Sequence, residues 1–129
     1  MGKFVPARSI VALLNPNAIK KIKSMAIENS KLIDKKSYYH NGELNAVAFI
    51  EFFPSGKVQV YGKFYEYYDF RRKSHDGPST GIIAEVPGEL LQEVQSTTWQ
   101  KGFKSPELKA WCEKIWQKAK EINAWFERF

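Results

Sequence analysis

One cysteine, Cys112, and two histidines, His40 and His75, are all that the 129 residues hold of thiol and imidazole ligands. A lone thiol makes no internal disulfide, and these three side chains fall short of a structural zinc set, so no metal, cofactor or oxidised scaffold is expected. Long apolar runs are missing as well. Ile10–Leu14 is too short for a signal-peptide core or a membrane span, and Pro6 stands where a myristoylated N-terminus wants Ser or Thr. These absences predict a cytoplasmic protein without a membrane partner. Acidic residues are scarce in one place only. Up to Gly42 there are eight cations against Glu28 and Asp34, whereas from Glu43 onward twelve cations meet twelve carboxylates. The whole net charge of +6 therefore belongs to the first third. Such asymmetry suggests a surface facing a polyanion; a solvated, solubilising helix face would carry the same charge.

Catalytic constellations are equally thin. Glu43 and Glu51 lie on one strand face about 26 Å apart at strand rise, too far for a carboxylate pair. The stretch Arg71–Gly81 contains Ser74, His75, Asp76, Ser79 and Thr80. It lacks the Gly-Lys-Ser/Thr ending of a phosphate loop, and adjacent His and Asp rarely converge. Its Gly, Pro, Ser and Asp are ordinary loop residues, so residues 71–81 are predicted to be a flexible basic loop. Cys112 falls on an apolar helical stripe, as a small buried hydrophobe would. The residues predict no enzyme.

What is present is organised around Glu43–Phe70, which predicts a long β-hairpin. Pro54-Ser55-Gly56 separates two strand-like arms with turn residues. On the second arm Val58, Val60 and Phe64 point one way; Gln59, Tyr61, Lys63, Tyr65 and Tyr67 point the other. Gly62 is a candidate bulge. Upstream, residues 1–42 read as a basic strand-helix-strand unit: strand Ser9–Leu14, a helix opened by Asn15-Pro16 and running to Asn29, then strand Leu32–Tyr39. Ile19, Ile22, Met25 and Ala26 form the helix's apolar face, with Lys20 and Lys31 opposite. Downstream, Ile82–Val86 reads as a short strand, Glu89–Gln95 as a short helix, and Ser105-Pro106 opens a helix reaching Phe129. The chain therefore predicts one α+β domain, a mainly antiparallel sheet with the N-terminal basic helix and the long C-terminal helix packed on it.

Ile10-Val-Ala-Leu-Leu-Asn-Pro16, Ile19-Lys-Lys-Ile22, Leu32-Ile-Asp34, Ala46-Val-Ala-Phe-Ile50 and Ser55-Gly56-Lys-Val58 together resemble, in order, the small RemA regulators of bacterial extracellular-matrix genes. The resemblance spans roughly Arg8 to Gly62. It implies DNA binding and ring assembly. The family's arginine-rich loop after Leu-Ile-Asp is replaced here by Tyr38-Tyr-His-Asn-Gly-Glu-Leu-Asn45, so those binding residues do not carry over.

Two surfaces emerge. The first is nucleic-acid-binding, DNA ahead of RNA, in an oligomer. Lys20, Lys21, Lys23, Lys31, Lys35, Lys36, Arg71, Arg72 and Lys73 would neutralise phosphates. Tyr61, Tyr65 and Tyr67 would stack exposed bases, unless they cover a neighbouring helix, most simply the C-terminal one. The second is a protein interface built from Trp111, Trp116, Trp125 and Phe129, as in an assembly factor or inhibitor. The same aromatics would equally close the monomer's own core.

Overall fold

A computed structural model describes residues 30–97 and 104–129. The expected strand Ser9–Leu14, the basic helix Asn15–Asn29, Lys20, Lys21, Lys23 and Trp99 lie outside the described residues.

Four strands, β1 (Lys31–His40), β2 (Glu43–Phe52), β3 (Lys57–Tyr68) and β4 (Arg71–Glu85), follow one another as an antiparallel meander. Local chemistry sets the first two turns. Asn41 (φ 50°) and Gly42 (φ 79°) supply the two left-handed residues that a twist-matched two-residue hairpin needs. Between β2 and β3, Gly56 takes φ 93° and donates its N–H to the Phe53 carbonyl at 2.8 Å. The expected central hairpin is therefore β2–β3, paired without slippage from Ala46↔Phe64 to Phe52↔Val58.

Residues 71–81 are not a loop. They form most of β4, the fifteen-residue outer strand paired to β3, and Ile82–Glu85 only completes it. Loop-type residues fit there because β4 is an edge. Its ladder slips three times, and Gly77-Pro78 and Gly81 (φ 69°) fall where β4 carries the extra residues. Proline, which cannot donate to a ladder, is tolerated on an edge or in a bulge, and bulges blunt an edge against unwanted pairing. The slip opposite Gly62 matches the expected bulge in place, but the extra residues belong to β4 and Gly62 itself pairs regularly with Ala48.

Two helices follow, α1 (Gly88–Ser96) and α2 (Pro106–Ile122), then a 3₁₀ turn over Ala124–Arg128. Ser105 Oγ accepts from the Leu108 N–H at 3.1 Å, and Pro106 occupies the first turn, which needs no donor there. The expected helix to Phe129 stops earlier. Asn123 is extended (φ −144°), and its side-chain oxygen accepts from the Trp125 N–H at 2.9 Å, restarting the chain as 3₁₀.

One sheet face carries the core. Ile33, Ala48, Ile50, Phe52, Val58 and Val60 pack against Leu90 and Val94 of α1, Leu108, Cys112, Ile115, Trp116 and Ala119 of α2, and Phe126. Each fully buried aliphatic is worth about 1.5–3 kcal/mol. The Lys36–Glu113 ion pair at 3.6 Å, with Glu113 well exposed, adds at most about 1 kcal/mol. Apolar packing therefore holds the helices on the sheet.

Candidate nucleic-acid interface

Past the last β2–β3 pair, Ala46↔Phe64, the β3–β4 ladder runs on alone through Tyr65↔Ser74, Glu66↔Lys73, Tyr67↔Arg72 and Tyr68↔Arg71. Four pairs at strand rise make a ribbon about 13 Å long. Alternation divides its side chains. Tyr65, Tyr67 and Arg72 share the face turned away from the helices, and the Arg72 guanidinium caps the Tyr65 ring at 4.9 Å. Glu66, Tyr68, Arg71, Lys73 and His75 share the other. The ribbon thus presents cations on both faces, and Arg71, Arg72 and Lys73 are all exposed.

The acid in the ribbon is already occupied. The Tyr68 hydroxyl donates to Glu66 Oε2 at 2.6 Å, and this bond, followed by the nearby His75 and Lys73, holds the Glu66 carboxyl below the usual range. The same contact pushes the Tyr68 hydroxyl up. His75 stacks on Phe64 at 4.9 Å between centroids; its Nε2 lies 2.8 Å from Glu66 Oε2 without the alignment of a hydrogen bond. Along the ribbon's β3 arm, Tyr65, Tyr67 and Tyr68 line an open cleft of about 370 Å³ with His40, Glu43 and Leu44. A two-residue turn, Asp69-Phe70, closes the tip, with both residues at positive φ (46° and 66°). Phe70 is 105% exposed.

The tyrosine row lies on the sheet face opposite α2, so the C-terminal helix does not cover it. Its members differ in freedom. Tyr61 is half-buried and stacks on Phe49 at 5.2 Å; burial, then the Glu51 charge, raises its hydroxyl pKa. Tyr65 shares its ring with Arg72. Tyr67 is 40% exposed, and its hydroxyl sits 3.4 Å from the Leu44 carbonyl.

The β1 lysines do not join this ribbon. Lys31 donates to the Gln95 carbonyl at 2.5 Å, while Lys36 lies over the Trp116 ring at 5.4 Å and beside Glu113. Lys35 points to the opposite face from Lys36, at the register of Phe49. The six expected phosphate contacts that fall within the described residues therefore do not form one patch. Only Arg71, Arg72 and Lys73 gather.

The aromatic interface dissolves in the same way. Trp116 is 1% exposed, and its indole N–H donates to Asp34 Oδ2 at 2.7 Å. Lys104 Nζ approaches the other Asp34 oxygen at 3.4 Å. Trp125 lies over Gly62 and Gly77, and Phe129 packs against Trp125 and the core. These rings close the monomer. Trp111 is partly buried against the same core and also lines a groove of about 460 Å³ with Leu90, Glu93 and Lys114. Cys112 is buried, and its thiol is pushed up to about 12 by that burial, then by Asp34, so it stays protonated at neutral pH.

Phe70 and Tyr68 escaped the sequence reading because a two-residue turn of Asp and Phe lacks the glycine that signals such turns. The alternation of Tyr65–Tyr68 against Arg71–Ser74 around it was the available cue. Among the described residues no three His, Cys, Asp or Glu side chains are placed to hold a metal ion, and no helix is long and apolar enough to cross a membrane. No family model, curated protein or solved structure matches the chain.

Proposed function

We propose that this is a non-enzymatic DNA-binding protein acting in the cytoplasm, with the β3–β4 ribbon as a principal contact. The observation that carries the reading is the exposed Arg71-Arg72-Lys73 run, displayed on both faces of a two-stranded ribbon that continues past the β2–β3 ladder. The major groove is wide enough for such a ribbon, and β-ribbon proteins also approach DNA from the minor groove. Cations on both faces reach the phosphates of both flanking strands, which a one-sided basic patch cannot do. The lysines of the first 42 residues add a second, sequence-independent attraction. The resemblance to RemA regulators and their ring assembly belongs to the same proposal; sedimentation of the intact protein reads the assembly.

Binding to labelled duplex and single-stranded DNA across a salt series tests it. Wild type is expected to bind the duplex with a steep salt dependence, and Arg71→Gln/Arg72→Gln/Lys73→Gln to have a slope shallower by about 2–3 units. No duplex binding at low salt would overturn the proposal. The second reading, a protein-interaction module, now draws its support from the Trp111 groove between α1 and α2. Trp111→Ala would then abolish capture of a partner while leaving DNA binding intact.

A further inference from the structure

We infer that Phe70 is a wedge that enters a base-pair step of duplex DNA from the minor groove and bends it, an inference that rests on the DNA-binding reading above. Phe70 is the largest anomaly in the described residues. A phenylalanine with φ 66° sits where sterics favour glycine or asparagine. It recovers nothing from packing, because its side chain is wholly exposed. Neither backbone preference nor burial accounts for a phenyl ring there, and strained residues of this kind gather at functional sites.

Its surroundings name the ligand. Arg71, Arg72 and Lys73 follow it directly on β4, and Tyr67 and Tyr68 face them on β3. Of the nearby carboxylates, Asp69 is in the turn, Glu66 already accepts from Tyr68, and Glu43 lies across the cleft that Tyr67 and Tyr68 line. A ring projecting beyond cations on both faces of a ribbon suits a polyanion with an apolar interior, and stacked base pairs between phosphate strands are that. Architectural proteins use apolar wedges in this way, unstacking one step from the minor groove and kinking the duplex by about 20–90°. The insertion costs least at flexible pyrimidine–purine steps, so a TA step should be preferred without any base-edge hydrogen bond.

An anionic bilayer is the competing ligand, since a phenylalanine beside arginines also suits a lipid interface. The ribbon favours DNA. Its three cations alternate between the two faces over three successive pairs, Arg71 and Lys73 on one and Arg72 on the other. They therefore flank an inserted ring on both sides as two phosphate strands would require, whereas a bilayer presents its charge in one plane.

The test measures energy transfer between dyes on the two ends of a duplex of roughly 20–30 base pairs with a central TA step, for wild type and Phe70→Gly. Glycine accepts the tip conformation, so Phe70→Gly should melt at or above the wild-type temperature. Wild type should raise the transfer on binding. Phe70→Gly should bind with the wild-type salt slope yet leave the transfer at the free-duplex level, and lose the preference for TA over a G·C step. Equal bending by both proteins, or a Phe70→Gly variant that melts lower, would overturn the wedge while leaving DNA binding standing. Absence of duplex binding by wild type would overturn both. Binding of wild type but not Phe70→Gly to phosphatidylserine–phosphatidylcholine vesicles, with no effect of the substitution on duplex bending, would assign the ring to a bilayer instead.

Discussion

Gly62 has a regular strand conformation and needs no positive φ; what it needs is the absence of a side chain. A Cβ built there would lie 2.1 Å from Trp125 Cζ3, because the indole crosses the sheet at that point and also leans over Gly77. Gly62→Ala must displace Trp125, itself packed edge-on to Phe126 and against Phe129. Overpacking of this kind costs about 1–3 kcal/mol. Urea denaturation should show the lower midpoint, and the loss should shrink in a Trp125→Leu background, where the ring is gone. An unchanged midpoint in the wild-type background would refute the contact. Asp34 illustrates the opposite requirement. It sits on β1 with Trp116 and Lys104 as its partners, and the Lys104 side chain is only 9% exposed. A carboxylate at this site satisfies a buried indole N–H and a nearly buried ammonium together, which no apolar residue can do.

At the scale of elements, one carboxylate ties α1 to the start of α2 beside their shared apolar core. Glu93 accepts from both the backbone N–H (2.7 Å) and the hydroxyl (2.5 Å) of Ser105, while Ser105 caps α2 through the Leu108 N–H. These bonds hold the Glu93 carboxyl below the ordinary range. A group whose folded pKa is depressed stabilises fully above its unfolded pKa and loses that contribution as pH falls through the folded value. Ser105→Ala removes the cap, costing about 1 kcal/mol at neutral pH, and removes the larger cause of the Glu93 shift, the hydroxyl bond, while the backbone N–H still donates. The wild-type advantage in urea midpoint should therefore narrow as pH drops through and below the normal glutamate range. A gap constant from neutral to acid pH would mean that Glu93 takes no part. β4 shows how an element hides. Its Gly, Pro, Ser and Asp are the residues of loops, and here they serve a bulged edge strand, where the same freedom bends the ladder away from foreign strands. Composition cannot separate the two uses; only the partner strand β3 does.

For the molecule as a whole, charge is divided between two regions of sequence. The first 42 residues carry the entire excess, while Arg71, Arg72 and Lys73 stand in a stretch that is neutral overall. If both contact phosphates, each should release its own counterions. The salt slopes lost in a Lys20→Gln/Lys21→Gln/Lys23→Gln variant and in the ribbon variant should then add in the sextuple variant, at about one unit per lost contact. A sextuple slope equal to that of either triple would show that only one region touches DNA.

Much of the architecture was legible because its causes are local. The alternation in Lys57–Phe64, the Asn41-Gly42 and Pro54–Gly56 turns, and the Ser105-Pro106 start each act within a few residues, so β1 to β3 and both helices could be read directly. The site was less so. Whether Arg71–Lys73 lie in a loop or on a strand, and whether the tyrosines meet α2 or turn away from it, depends on which strands pair. Whether Trp116 is an interface or a core residue depends on Asp34, 82 positions away. The sequence alone thus determined the periodicities, turns, caps and charge division. The tertiary structure decided which face each side chain joined and left Phe70 bare at the tip, because burial and pairing are properties of distant segments brought together.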